Sequence, residues 1–86
     1  MREIDEVTGI IVDTAYKVHT GLGPGLLESV YEAVLAHELE QRGLTVERQK
    51  PISFEYDGIA FEEGFRVDLF VENMVVVELK SVEKIA

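Results

Sequence analysis

Cysteine is absent from this 86-residue chain. That excludes disulfides and thiolate metal ligation, and it suits a reducing compartment, with the cytoplasm as the expected location. Positive charge is scarce: 8 Lys and Arg stand against 17 Asp and Glu. A chain so acidic does not hold nucleic acid through an overall positive field, so nucleic-acid chemistry would have to be confined to a local site. The sequence also lacks an apolar run of membrane-spanning length and an N-terminal secretory pattern. No repeat, linker or low-complexity tract divides it. One small domain over residues 1–86, with a modest core, is the expected organisation.

Two helical patterns come first. Over residues 3–19, Ile4, Val7, Ile11, Thr14 with Ala15, and Val18 recur at helical spacing, and Ile10 widens the stripe. Lys17 and His19 suit the negative end of that helix's dipole, with Gly21 as the expected stop. Gly21-Leu22-Gly23-Pro24-Gly25 reads as a tight connection; no Lys-Ser or Lys-Thr follows it, as a phosphate-cradling loop would require. A second helix is expected over residues 25–42, with Leu27, Val30, Tyr31, Val34, Leu35 and Leu39 inward. Arg42-Gly43 would end it.

From Thr45 the period changes to two. Ile52, Phe54 and Tyr56 alternate with polar residues, and Asp57-Gly58 is a type I′ hairpin signal that pairs Tyr56 with Ile59 and Phe54 with Phe61. The alternation continues through Phe65, Val67, Leu69 and Val71, and resumes in Val75, Val77 and Leu79. Matching these two apolar faces sets Val71 opposite Val75, Leu69 opposite Val77 and Val67 opposite Leu79, around a connection at residues 72–74. All apolar strand residues then share one sheet face, on which the helices pack. The expected fold is α+β: two N-terminal helices on a three-stranded antiparallel meander.

That register has a chemical consequence. It places Asp68 across from Glu78 and Arg66 across from Lys80, on strands otherwise rich in Val, Leu, Phe and Met. Opposed like charges repel, so two facing carboxylates are either strained, partly protonated or bridged by a cation, and desolvating a carboxylate costs several kcal/mol unless a cation or metal compensates it. Metal-assisted cleavage of a phosphodiester is the chemistry that best accounts for such a pair beside a lysine.

The residues also carry a family resemblance. Gly25-Leu26-Leu27-Glu28-Ser29-Val30-Tyr31 matches the motif that names the GxxExxY proteins, and Tyr16-Lys17-Val18-His19 and Asp68…Glu78-Leu79-Lys80 are similar to that family too. GxxExxY proteins resemble members of the PD-(D/E)XK nuclease superfamily, whose restriction-endonuclease-like core is a helix, a three-stranded meander, a helix and a further strand. Val67 stands where the superfamily's name has proline. The usual final helix and strand are not found before Ala86, so the sheet is expected to keep an unpaired edge. The chain is expected to be a truncated piece, a degenerate copy, or a protomer that completes itself by dimerising.

The resemblance implies a role for each motif residue. Asp68 and Glu78 would hold Mg²⁺ or Mn²⁺, with the Leu79 carbonyl in the right stretch to assist. Lys80 would orient water or offset charge on the phosphate. Glu28 would be a third acidic member at the metal, and Tyr31, one helical turn along, would meet Glu28 or substrate. The implied substrate is DNA or RNA. The competing expectation is a non-catalytic module that binds a protein partner, or a second copy, through its exposed sheet edge. Acidity and small size favour that alternative. Glu28 is also a carboxylate of the kind favoured at any helix N-terminus.

Overall fold

The first helical stripe folds largely as its spacing requires. In the computed structural model, which describes residues 2–80, helix α1 (Ile4–Leu22) buries Val7, Ile11, Thr14 and Val18. Thr14 is tolerated in the core because its hydroxyl donates to the Ile10 carbonyl at 2.6 Å. The helix passes through the expected stop at Gly21 and ends at Gly23, whose N–H donates to the His19 carbonyl at 2.8 Å. Gly21 is merely a poor helix former, whereas Gly23 takes a φ of 74° and is followed by Pro24, which cannot continue the ladder. Ile4 remains exposed, so the buried stripe begins at Val7.

Helix α2 (Glu28–Gln41) starts later than the sequence pattern indicates, because residues 23–27 are held in the loop. Its buried face is rotated as well. Glu32, Leu35, Ala36 and Leu39 are buried, Tyr31 and Val34 lie at the margin, and Leu27 is 74% exposed. The rotation brings Glu32 inward to partners on the sheet and leaves the Tyr31 hydroxyl at the loop. At its other end α2 closes with a Schellman motif. Gly43, at φ 86°, donates to the Glu40 carbonyl at 2.9 Å, and Leu44 donates to the Leu39 carbonyl at 3.2 Å while burying its side chain in the core.

Strands β1 (Val46–Tyr56), β2 (Ile59–Val71) and β3 (Val75–Val77) form an antiparallel meander in the order β1-β2-β3. The expected α+β architecture is present. Asp57 and Gly58 both take positive φ, 50° and 79°, as a type I′ turn demands, and Tyr56 pairs with Ile59 and Phe54 with Phe61. Between Ile52↔Phe65 and Phe54↔Phe61 the ladder is irregular, with two extra residues on β2. An even offset keeps the apolar side chains in phase.

The core forms where both helices meet the inner half of the sheet: Val7, Ile11 and Val18 from α1, Leu35, Ala36 and Leu39 from α2, then Leu44, Leu69 and Val71. Each large side chain so buried contributes about 1.5–3 kcal/mol. The helices do not cover the whole apolar face. A strand of 13 residues runs about 43 Å at 3.3 Å per residue, and a helix of 14 about 21 Å. Phe54, Tyr56, Ile59, Phe61 and Phe65 consequently lie on an arm that remains exposed. Among the described residues no helix is long and apolar enough to cross a membrane.

Candidate functional site

Asp68 lies on β2 between the buried Val67 and Leu69, half-exposed at the point where the sheet leaves the core. The expected pairs Val71↔Val75 and Leu69↔Val77 both form, and there the ladder ends. The pairs expected next, Asp68 with Glu78, Val67 with Leu79 and Arg66 with Lys80, are not part of it. Asp68 supplies the reason: its Oδ2 accepts the Leu79 N–H at 2.7 Å, so a side chain takes the place of a ladder partner. Leu79 packs against the core, while Glu78 and Lys80 flank it, exposed. Arg66 is engaged by Glu63 instead of lying opposite Lys80 as a free cation.

A second carboxylate approaches from the helix layer. Glu32 on α2 is 7% exposed, a position in which an unpaired charge costs several kcal/mol. Its partners come from β1: Arg48 reaches Oε2 through Nε at 3.1 Å and through its terminal nitrogen at 3.1 Å. Gln49 donates to Oε1 at 2.6 Å. The Gln49 amide nitrogen also lies 3.4 Å from Asp68 Oδ1. One continuous set of contacts therefore runs from Arg48 and Glu32 through Gln49 and Asp68 to the Leu79 backbone.

Two consecutive strand residues ordinarily point to opposite faces. Arg48 and Gln49 reach the same carboxylate because Gln49 has a φ of 51°, in the left-handed region. The ladder passes from Arg48↔Leu69 to Lys50↔Val67 without pairing Gln49 to Asp68. Such a conformation in a non-glycine residue costs about 1–3 kcal/mol and persists where surrounding contacts over-determine it.

Glu28 is the first residue of α2, at the positive end of its dipole. With Glu32 it forms an i,i+4 pair on one side of the helix. Tyr31 does not turn to Glu28. Its hydroxyl donates to the Gly23 carbonyl and accepts from the Leu26 N–H at 3.3 Å, clasping the loop between the helices. Gly25, at φ 95°, makes the turn inside that loop. Gly25 and Tyr31 thus shape the entry into the helix that carries Glu28 and Glu32.

Sequence reasoning passed over Glu32, Arg48 and Gln49. For Glu32 a signal existed: it sits three, four and seven residues before Leu35, Ala36 and Leu39, a carboxylate in an apolar stripe. For Gln49 the one hint is that Glu47-Arg48-Gln49-Lys50 carries no alternation.

Among the described residues no three carboxylate or imidazole side chains are gathered at metal-binding spacing, and the contacts that tie the region together run through N–H donors. The donor chemistry nevertheless fits a hard divalent cation. The acidic groups are oxygen ligands, and Asp68, already oriented by two N–H donors, retains lone pairs for a cation. No curated protein and no solved structure matches the chain. The family model of the PD-(D/E)XK nuclease superfamily matches residues 5–86.

Proposed function

The chain belongs to the PD-(D/E)XK nuclease superfamily, and we propose that within it this protein is a Mg²⁺- or Mn²⁺-dependent phosphodiesterase of the GxxExxY kind, acting on DNA or RNA. One observation carries the reading: the Asp68 carboxylate is bonded to the backbone of Leu79, between Glu78 and Lys80. That bond ties the aspartate of β2 to the Glu-Leu-Lys segment that follows β3.

In this reading Asp68 and Glu78 hold the ion, with the Leu79 carbonyl beside them and Glu28 as a further acidic group from the helix. When bound, the ion polarises the phosphate and lowers the pKa of a coordinated water. Lys80, a compact point charge, orients the attacking water and offsets charge on the phosphate oxygens. Gly25 and Tyr31 support the site through the loop that leads into α2. A local metal answers the objection raised by the acidic composition, since it turns a carboxylate cluster towards phosphate. A reducing compartment such as the cytoplasm suits a cysteine-free enzyme.

Lys80→Ala is the decisive variant. It is expected to lower Mg²⁺-dependent cleavage of single- and double-stranded substrates by about 100-fold or more while leaving Mg²⁺ affinity largely intact. Equal cleavage by the variant and the wild type would overturn the proposal.

A second reading, a non-catalytic interaction module, is favoured by the uncovered arm bearing Phe54, Tyr56, Ile59, Phe61 and Phe65. Exposed apolar patches of this kind mark association sites. This reading calls for a stable dimer or hetero-complex whose stability is indifferent to Mg²⁺. A monomer strongly stabilised by Mg²⁺ would contradict it.

A further inference from the structure

We propose that Gln49 is the positioning residue of this site: its side-chain amide bridges Glu32 and Asp68 and thereby fixes the Asp68 carboxylate against Leu79. The metal-related half of the inference rests on the function proposed above; the bridge itself does not.

Three observations converge on Gln49. Its backbone occupies the left-handed region at φ 51°, inside a strand and in a residue type with no intrinsic preference for it. The β1–β2 ladder omits the Gln49 and Asp68 position. One side-chain nitrogen lies 2.6 Å from Glu32 Oε1 and 3.4 Å from Asp68 Oδ1.

A primary amide carries two protons on one nitrogen, so it can donate to two carboxylates at once. A glutamate here would repel both neighbours, whereas the amide donates to both without bringing a charge of its own. The amide acts as a neutral spacer between two anions. Asp68 is then gripped on both oxygens, by Gln49 at Oδ1 and by Leu79 N–H at Oδ2, which leaves its carboxylate one orientation. Glu32, held in addition by Arg48 and buried on the helix, is the fixed end of the bridge. The strained backbone is what lets Gln49 turn towards Glu32 in company with Arg48. The hydrogen bonds to Glu32 that this conformation permits offset the strain in the dihedral.

The test separates side chain from backbone. Gln49→Gly and Gln49→Asn both accept a positive φ, glycine without strain and asparagine readily, but neither reaches across both carboxylates. Amide hydrogen exchange at Leu79 is to be followed by NMR on the full chain without metal, and Mg²⁺ is then titrated in. In both variants Leu79 exchange is expected to accelerate about tenfold, the effect of losing one net hydrogen bond. The Mg²⁺ dissociation constant is expected to rise about 10–100-fold, as when a ligand loses the group that orients it. Leu79 exchange unchanged in both variants would overturn the bridge, whatever the metal does. Accelerated exchange in a protein whose wild type takes up no Mg²⁺ would uphold the bridge and overturn the nuclease reading.

Discussion

Glu72 illustrates how much one side chain can settle. It and Asn73 both sit in the left-handed region, at φ 54° each, in the turn between β2 and β3. Its Oε2 accepts the Thr45 N–H at 2.6 Å and the Thr45 hydroxyl at 2.8 Å, and its own N–H donates to the Thr45 carbonyl at 2.9 Å. The Thr45 backbone bond first, and the hydroxyl second, hold its carboxyl below the ordinary glutamate value of 4.5. A carboxyl depressed in the folded state stabilises fully above its unfolded pKa, and that contribution disappears as pH falls through the folded one. Wild-type stability should therefore fall below pH 4.5. Glu72→Gln should be less stable at neutral pH and lose less on acidification. Urea midpoints between pH 3 and 7 test this, and parallel curves for the two proteins would contradict it. The place of this turn follows from the register of its flanking strands, but its left-handed conformation is hard to read in advance, because glutamate gives no signal for it. Asp57-Gly58 and Gly43 were legible because their backbone demands are ones that few other residues meet.

At the scale of elements, the patterns that decided correctly were those in which one face is almost wholly apolar. The α1 stripe and the β2–β3 register are of this kind, since a one-residue slip would turn Leu69 and Val71 to solvent. The α2 face was misjudged because polar needs rotate the helix: Tyr31 serves the loop and Glu32 serves the sheet. The long β1–β2 hairpin shows a close-packing constraint of its own. The Phe54 ring lies across Gly64, so that a Cβ there would come within 2.0 Å of it, and the same ring stacks on Phe61 at 5.0 Å between centroids. Gly64→Ala should displace the ring and break the stack. Phe54 is 45% exposed and free to swing outward, so the cost should be at the low end for overpacking, about 1 kcal/mol. A lowered melting temperature with altered Phe54 and Phe61 ring resonances is expected. Unchanged resonances would show that the ring does not lie over the glycine.

For the molecule as a whole, the two halves of the sheet have different surroundings. The inner half packs one face against both helices and carries Asp68 with its neighbours; the outer half projects uncovered. The sequence supplied the strand carboxylate and the Glu-Leu-Lys segment, since charge in an apolar hairpin stands out. It did not supply the contacts that link them, because Glu32, Gln49 and Asp68 come from three elements whose approach depends on a rotated helix and one strained residue. The proposed chemistry requires Asp68 and Glu78 to form a cation site, and thermal unfolding with and without millimolar Mg²⁺ is the test of it. At ten times its dissociation constant the ion stabilises by about 1.4 kcal/mol, which raises the Tm of a domain this small by roughly 5–10 °C. That shift is expected for the wild type and should be lost in the double variant Asp68→Asn, Glu78→Gln. An equal shift in both proteins, or none in either, would contradict it.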